Sequence, residues 1–219
     1  MKKSVSQKTI SRVLRYSRIL NDAARDGKLR ISSAELAELT GFSDAQVRKD
    51  VSSFGKVGRP RIGYIVADLK KVFEGLVLQS TVHVVLFGVG NLGSAILRYP
   101  GFDQEKIRIV AAFDRDKSRV GREINGVRVY DIAEAPGLVK RLRAQIGINA
   151  TPVVASQEVA ETMVRAGLQG IINFAPVTLN VPADVFVRNI DFTIEFLSLF
   201  CDIQNSGKTA AGSRHRKAA

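Results

Sequence analysis

The sequence predicts an α/β protein in two modules: short capped helices first, then a doubly wound parallel sheet closed by an apolar terminal helix. Three observations carry this expectation. Charge is divided unevenly: residues 1–80 hold 16 basic and 8 acidic side chains, residues 81–204 hold 13 of each, and residues 205–219 hold four basic and none acidic. Apolar residues in the first 80 positions recur at three- and four-residue intervals behind serine caps, which is helical spacing. From Thr81 onwards, continuous apolar runs alternate with amphipathic stretches, as buried parallel strands alternate with crossover helices.

Composition limits the functions open to such a chain. With 219 residues, 45% apolar and 25% charged, it can bury a sizeable core. No apolar run approaches the roughly 20 residues that a membrane span requires. Arg12, Arg15 and Arg18 interrupt the first 20 residues, so no secretory segment is expected and a cytoplasmic location follows. Cys201 is the one cysteine, which excludes an internal disulfide and any multi-cysteine metal site. His83 and His215 are the two imidazoles, so neither a metal centre nor a histidine-based catalytic site is expected.

In the first module, Ile10, Val13, Leu14, Ser17 and Leu20 to Ala24 give a helix over roughly residues 7–25, ended by Gly27. Ser32-Ser33-Ala34-Glu35 has the form of a capping box, after which Leu36 and Leu39 start a short helix closed near Gly41. Ser43-Asp44-Ala45-Gln46 has the same form, and Val47, Val51 and Phe54 then share one face. Gln46, Arg48, Lys49 and Ser52 are left facing outwards. Two short helices around a glycine turn, the second basic on its free face, make a helix-turn-helix that enters the major groove of DNA. A plain three-helix bundle would share the apolar pattern but gives no reason for the charge. Ser43, Gln46, Arg48, Lys49 and Ser52 are the candidate DNA contacts of this helix.

Glycines bracket Lys56, Arg59 and Arg61 ahead of the β-formers Tyr64-Ile65-Val66, the pattern of a turn with a basic tip, or wing. Its arginines would lie along phosphates or enter the minor groove, adding affinity more than sequence choice. Leu69, Val72, Phe73, Leu76 and Val77 mark a linker helix ending near Ser80.

The second module opens with the apolar run Val82 to Phe87, followed by Gly88-Val89-Gly90-Asn91-Leu92-Gly93 and a helix through Ala95, Ile96 and Leu97. This is G-x-G-x-x-G between a strand and a helix, and a second strand, Ile107 to Phe113, ends at Asp114, 21 residues past Gly93. Gly88 permits the tight turn, Gly90 lets the backbone approach a pyrophosphate, and Gly93 lets helix pack on strand. Asp114 can accept hydrogen bonds from a ribose diol and would repel a 2′-phosphate, which favours NAD(H) over NADP(H). Further strands are expected at Val127 to Tyr130, Ile146 to Ala150 and Gly170 to Phe174, with helices near 137–145 and 156–167. The turns Thr151-Pro152 and Asn173-Phe174-Ala175-Pro176 follow strands, so Thr151, Pro152 and Phe174 are candidate walls for the nicotinamide end. Taken without the glycine fingerprint, these prolines would only punctuate loops.

Asp191 has the position of an N-cap for a last helix in which Phe192, Ile194, Phe196, Leu197, Leu199 and Phe200 leave almost no polar face. Such a helix could lie at the centre of one large core, but a chain end is more easily covered by a second subunit, which predicts a homodimer. The expected divisions are therefore a DNA-binding winged helix over 1–80, a Rossmann domain over 81–190, a dimerisation helix over 191–204 and a disordered basic tail over 205–219.

From about Ile10 to Ile203 the sequence resembles the Rex family of bacterial redox-sensing transcriptional repressors. The resemblance rests on Ser32 to Leu36, Val47-Arg48-Lys49-Asp50, Phe54-Gly55, Gly63-Tyr64, Gly90-Asn91-Leu92-Gly93, Tyr99-Pro100-Gly101-Phe102, Phe113-Asp114 and Asn173 to Pro176. It implies a homodimer with exchanged terminal helices, which binds double-stranded operator DNA of inverted-repeat form and releases it when NADH binds, with NAD⁺ as a weaker competitor. It further implies that Tyr99 sits near the cofactor, that Phe192 enters the partner's nicotinamide pocket, and that Arg18 and Asp191 belong to a switch. Family members usually carry glycine two residues before Gly63, where this sequence has Arg61 after Pro60. An NAD-dependent dehydrogenase with a basic appendage is the competing class, yet His83 lies at the wrong end of its strand for proton donation and no Tyr-x-x-x-Lys pair occurs. A structural nucleoid protein leaves the glycine fingerprint unexplained.

Overall fold

Ser6 takes an extended backbone and its hydroxyl accepts the N–H of Thr9 at 3.2 Å, which starts α1 at Gln7–Arg25. The computed structural model describes residues 6–55, 57, 63–77, 81–104 and 106–214, and the chain divides into two units, Met1–Ser80 and Thr81–Ala219. In the first unit α1 ends at Gly27, whose φ of +71° suits glycine. β1 (Arg30–Ile31) leads to α2 (Ser33–Thr40), whose cap Ser32 accepts from the Glu35 N–H at 3.0 Å. Only this half of the expected capping box forms, because the Glu35 carboxylate pairs with Lys28. Gly41 turns the chain with φ +73°, and Ser43 then caps α3 (Asp44–Ser52), accepting from the Gln46 N–H.

The strand expected after the basic turn forms at Tyr64–Ile65, with a partner that the sequence did not indicate. β2 (Tyr64–Ile65) pairs antiparallel with β1, which lies before the two short helices, so the sheet closes across the helix-turn-helix. Close backbone packing of Gly63 on Ile31, where an added Cβ would lie 2.8 Å from the carbonyl oxygen, permits this pairing. α4 (Val66–Val77) follows, and its Leu69 and Phe73 join Val13, Tyr16, Leu20, Leu36, Val47 and Val51 in one core. Full burial of a side chain such as Phe73 contributes about 1.5–3 kcal/mol.

The second unit is a seven-stranded sheet. Its strands are β3 (Val82–Phe87), β4 (Ile107–Asp114), β5 (Glu123–Ile124), β6 (Val127–Asp131), β7 (Ile146–Asn149), β8 (Gly170–Asn173) and β9 (Phe186–Asn189), in the order β5-β6-β4-β3-β7-β8-β9. All pairs are parallel except β5 with β6. The six parallel strands thus follow the doubly wound order 3-2-1-4-5-6, with the reversal between β3 and β7. Helices α5 (Asn91–Leu97), α6 (Gly101–Gln104), α7 (Ala135–Leu142) and α8 (Val153–Arg165) connect the strands. Phe87 and Phe113 stack at 4.8 Å in the core beneath α7 and α8.

Several boundaries move relative to the sequence expectations. β5 and β9 were not expected; β5 is a two-residue strand made by the Asn125-Gly126 turn, where both residues have positive φ. β9 is a short, largely exposed edge whose apolar signal is limited to Val185-Phe186-Val187. α7 begins earlier than expected, with Pro136 in its first turn, and ends at Leu142 because Arg143 turns left-handed with φ +53°. α8 begins at Val153, directly after the extended Pro152.

The last helix, α9 (Phe192–Arg214), corrects the expected boundary at 204: it continues ten residues into the segment taken as disordered. No proline interrupts the run and Ala210-Ala211 favour helix, against the cost of Gly207 and Gly212. Phe192, Phe196, Leu199 and Phe200 are each more than half exposed in the single chain. An apolar helix left bare in this way requires a cover. Among the described residues no helix is long and apolar enough to cross a membrane.

Candidate functional site

In the first unit the basic face is carried by α3. Arg48 and Lys49 are exposed, Arg48 pairing at 2.7 Å with Asp44 one turn earlier, and Ser52 is exposed with its hydroxyl on the Lys49 carbonyl. Ser43 is exposed at the start of the helix. Gln46 corrects the expectation of an outward side chain: it is half-buried and donates from Nε2 to Asp50 Oδ1 at 2.8 Å. Its position, i to i+4 behind a buried carboxylate, explains the difference. Lys56, Arg59 and Arg61 lie outside the described residues.

Sequence reasoning missed Asp50, which is 3% exposed. Arg12 donates to it twice, from Nε at 2.6 Å and from Nη2 at 2.8 Å, and Tyr16 donates at 3.0 Å. Burial alone pushes the Asp50 carboxyl up, but the bonds from Arg12, Tyr16 and Gln46 outweigh it and hold the group below the ordinary carboxylate range. Burial and the bond to Asp50 push the Tyr16 phenol well above its usual value. The network fastens the basic helix to α1. The sequence signals of Asp50 were its place in the Val47-Arg48-Lys49-Asp50 stretch and its position three residues after Val47, beside the apolar face of α3.

In the second unit a cavity of about 650 Å³ lies at the carboxyl ends of the strands, lined by Gly88, Gly90, Asn91, Leu92, Asp114, Thr151 and Pro152 among others. It sits at the strand-order reversal, where ligands of open α/β sheets bind. The glycines are explained by contact. A Cβ on Gly93 would lie 1.9 Å from the Gly88 carbonyl oxygen, and one on Gly88 would lie 2.8 Å from Ala150 O, whereas at Gly90 it would meet nothing within 4 Å. The backbone is therefore closely packed beneath the loop and open above it, as a pyrophosphate requires. Val89 is buried, and its N–H donates to Asp114 Oδ2 at 2.7 Å, which ties the loop to the end of β4.

Asp114 also accepts from Asp116 N at 2.9 Å and from Arg119 Nη1 at 3.1 Å. A ribose diol arriving at this carboxylate would share it with Arg119, a residue the sequence reasoning did not single out. Arg115, beside Asp114, pairs with Glu158 on α8. Loop, acid and volume together fit an adenine dinucleotide. Among the described residues no group of His, Cys, Asp or Glu could hold a metal ion.

Three expected cofactor neighbours are not brought into this wall. Tyr99 is half-exposed and packs edge-on against Phe102 at 5.1 Å, over Gly101. Phe174 faces Phe192 at 6.3 Å, and Phe192 at the root of α9 remains 58% exposed. Tyr99 and Phe192 stay largely open in the single chain, while Phe174 is half-buried against the core cluster that contains Leu86 and Val89. Asp191 caps α9, accepting from Thr193 N at 2.9 Å, and Arg18 is exposed on α1.

Residues 79–177 match the family described as "CoA binding domain", and residues 4–52 match "Putative DNA-binding protein N-terminus". A redox-sensing transcriptional repressor Rex of Pelotomaculum thermopropionicum is 43% identical over 191 residues, covering 87% of this chain and 90% of that protein. This chain belongs to the Rex family. A second Rex repressor, of Carboxydothermus hydrogenoformans, is 40% identical over 201 residues, 91% of this chain and 97% of that protein. Both Rex relatives are named as repressors and not as enzymes. Among solved structures, the Rex-family repressor RSP in complex with β-NADH is 31% identical, with a TM-score of 0.82 over 94% of this chain and 98% of that one. RSP with β-NAD⁺ and operator DNA is 32% identical, with a TM-score of 0.83 over 96% and 98%.

Proposed function

We propose that this Rex-family chain is a cytoplasmic, homodimeric repressor that reads the NADH/NAD⁺ ratio, holding an inverted-repeat operator when NADH is scarce and releasing it when NADH binds. The observation that carries this is the glycine-loop cavity ended by Asp114 in a chain whose other unit presents Arg48 and Lys49 on an exposed capped helix. Membership of a family of named redox-sensing repressors supports it. RSP, solved both with NADH and with NAD⁺ and operator DNA, supports the choice of ligands.

In this mechanism the loop from Gly88 to Gly93 holds the pyrophosphate: the Gly88 and Val89 N–H groups fasten it to Phe113 and Asp114, Gly93 packs beneath it, the backbone of Gly90, Asn91 and Leu92 at the helix start meets the phosphates, and Asp114 takes the adenosine ribose. Thr151, Pro152 and Phe174 flank the nicotinamide, with Tyr99 nearby and Phe192 supplied by the second subunit. An apolar cap disfavours the cationic ring of NAD⁺ by desolvation, so NADH binds tighter and NAD⁺ competes. Ser43, Gln46, Arg48, Lys49 and Ser52 contact the operator, Gln46 by leaving or sharing Asp50, and Lys56, Arg59 and Arg61 add phosphate contacts. Arg18 and Asp191 take part in the switch. Half-site spacing is set by the DNA turn, so a dimer that closes on NADH changes the separation of its two α3 helices and loses operator affinity. The Rex relatives are named as repressors, which supports reading the cofactor as a signal and not a substrate.

The test is a gel shift on a duplex selected by the protein from a random pool, with NADH or NAD⁺ added, alongside an assay for NADH oxidation with common carbonyl substrates. Release by NADH, weaker or absent release by NAD⁺ and no turnover are expected. Turnover of NADH with a bound duplex left in place would replace the sensor with a dehydrogenase.

A further inference from the structure

Three asparagines stand side by side at the carboxyl ends of neighbouring strands: Asn149 on β7 pairs in register with Asn173 on β8, which pairs with Asn189 on β9. The same row begins at Phe87, the residue before the glycine loop, which is in register with Asn149. Asn149 and Asn173 are fully buried. Burying an amide costs free energy unless every polar atom is paired, and an apolar residue would serve packing better at such a position.

Here the amides are paired to one another along the row. Thr151 in the cavity wall donates from its hydroxyl to Asn149 Oδ1 at 2.6 Å, and its backbone N–H reaches the same oxygen at 3.3 Å. Asn149 Nδ2 donates to Ser156 Oγ at 2.6 Å and to Asn173 Oδ1 at 3.3 Å. Asn173 Nδ2 shares its two hydrogens among three acceptors in reach, Asn189 Oδ1 at 3.0 Å and the carbonyls of Ala175 and Val177, both at 2.9 Å, while Asn173 Oδ1 accepts the Ala175 N–H. Asn189 is two residues before Asp191, the cap of α9, and the intervening Ile190 N–H bonds to the Asn173 carbonyl at 2.8 Å. An unbroken chain of side-chain hydrogen bonds thus runs from the cavity wall to the root of the exposed apolar helix.

We propose that Asn149, Asn173 and Asn189 are positioning residues for the NADH response, coupling the placement of Thr151 in the cavity to the placement of α9. The inference rests on the proposed NADH-driven release of operator and names the residues that carry it within one subunit. Each amide has fixed donors and acceptors, so a ligand that moves Thr151 changes which pairings of the row are satisfied. The direction of the bonds matters. Asn189 acts through its acceptor oxygen, so an aspartate there keeps the link and an alanine removes it.

Asn189 is exposed, so its replacement tests coupling with little effect on folding. For the wild-type full chain and for Asn189→Ala and Asn189→Asp, the NADH dissociation constant is measured by calorimetry. The NADH concentration for half-release of a duplex selected by the wild type from a random pool is measured alongside it. Asn189→Ala should raise the ratio of half-release concentration to dissociation constant by roughly 3- to 30-fold. Asn189→Asp should keep the wild-type ratio. A wild-type ratio in Asn189→Ala overturns the proposal, as does an equal rise in both variants or a loss confined to the dissociation constant. Failure of the wild type itself to release the duplex with NADH is distinct: it overturns the proposed function, and this inference with it.

Discussion

Asp50→Asn isolates the contribution of the buried network that fastens α3 to α1. The carboxylate accepts four hydrogen bonds, two from Arg12 and one each from Tyr16 and Gln46, at 2.6–3.0 Å. An asparagine offers one acceptor oxygen and turns an amide donor towards the remaining donors, so the guanidinium loses its counter-charge and at least one donor is orphaned. Breaking a fully buried pair costs about 3–5 kcal/mol. The Arg12 side chain is 20% exposed and can recruit water, which places the expected loss near the lower bound, about 3 kcal/mol. Hydrogen exchange on the full chain reads this by segment: a loss of that size speeds exchange on the order of 100-fold in α1 and α3 peptides. Peptides of β3 and β7 should be unaffected. Arg48→Ala is the control, because its pair with Asp44 is largely exposed and is worth less than about 1 kcal/mol. Unchanged exchange in α1 and α3, or equal acceleration in both units, would refute the assignment of stability to this network.

The same network sets a pH dependence. Asp50 is depressed in the fold, so its contribution is present above its unfolded value of about 4 and is lost as pH falls through the folded one; Tyr16 is raised, so its contribution is present below about pH 10 and is lost above it. Thermal melts from pH 2 to 11 should show the first unit weakening at both extremes, and Asp50→Asn should remove the acid limb. Gly93→Ala must move the Gly88 carbonyl from 1.9 Å to at least 3.4 Å from the new Cβ, and a displacement of this kind should weaken NADH binding about 100-fold by calorimetry while operator binding survives. Arg48→Ala should remove operator preference, at about 1–3 kcal/mol for a bidentate base contact, and leave NADH binding intact; full preference in a selection from random DNA would move recognition to the wing. Phe192→Ala should bring the NADH and NAD⁺ affinities closer together, and an unchanged ratio would take Phe192 out of the discrimination.

The sequence by itself determined the features whose causes are local. Ser32 and Ser43 cap helices wherever they precede one, Gly41 must turn left-handed, and an apolar run feeding G-x-G-x-x-G needs neither partner nor distant contact to announce a nucleotide loop. The bareness of α9 was legible for the same reason: apolar residues on all sides of its first turns leave almost no polar face. Only the tertiary structure decided what joins residues far apart in the chain. Asp50 looks like one more surface acid until Arg12 and Tyr16, 38 and 34 residues earlier, close on it. The wing strand finds its partner at Arg30–Ile31 because Gly63 can approach Ile31, a choice that no local propensity encodes. Asn149, Asn173 and Asn189 are ordinary loop-edge residues in sequence, and they become a hydrogen-bonded row only because the parallel register sets their strands abreast. Periodicity and capping act over a few residues, whereas burial and register depend on which strands and helices meet, and that is fixed by packing the whole unit at once.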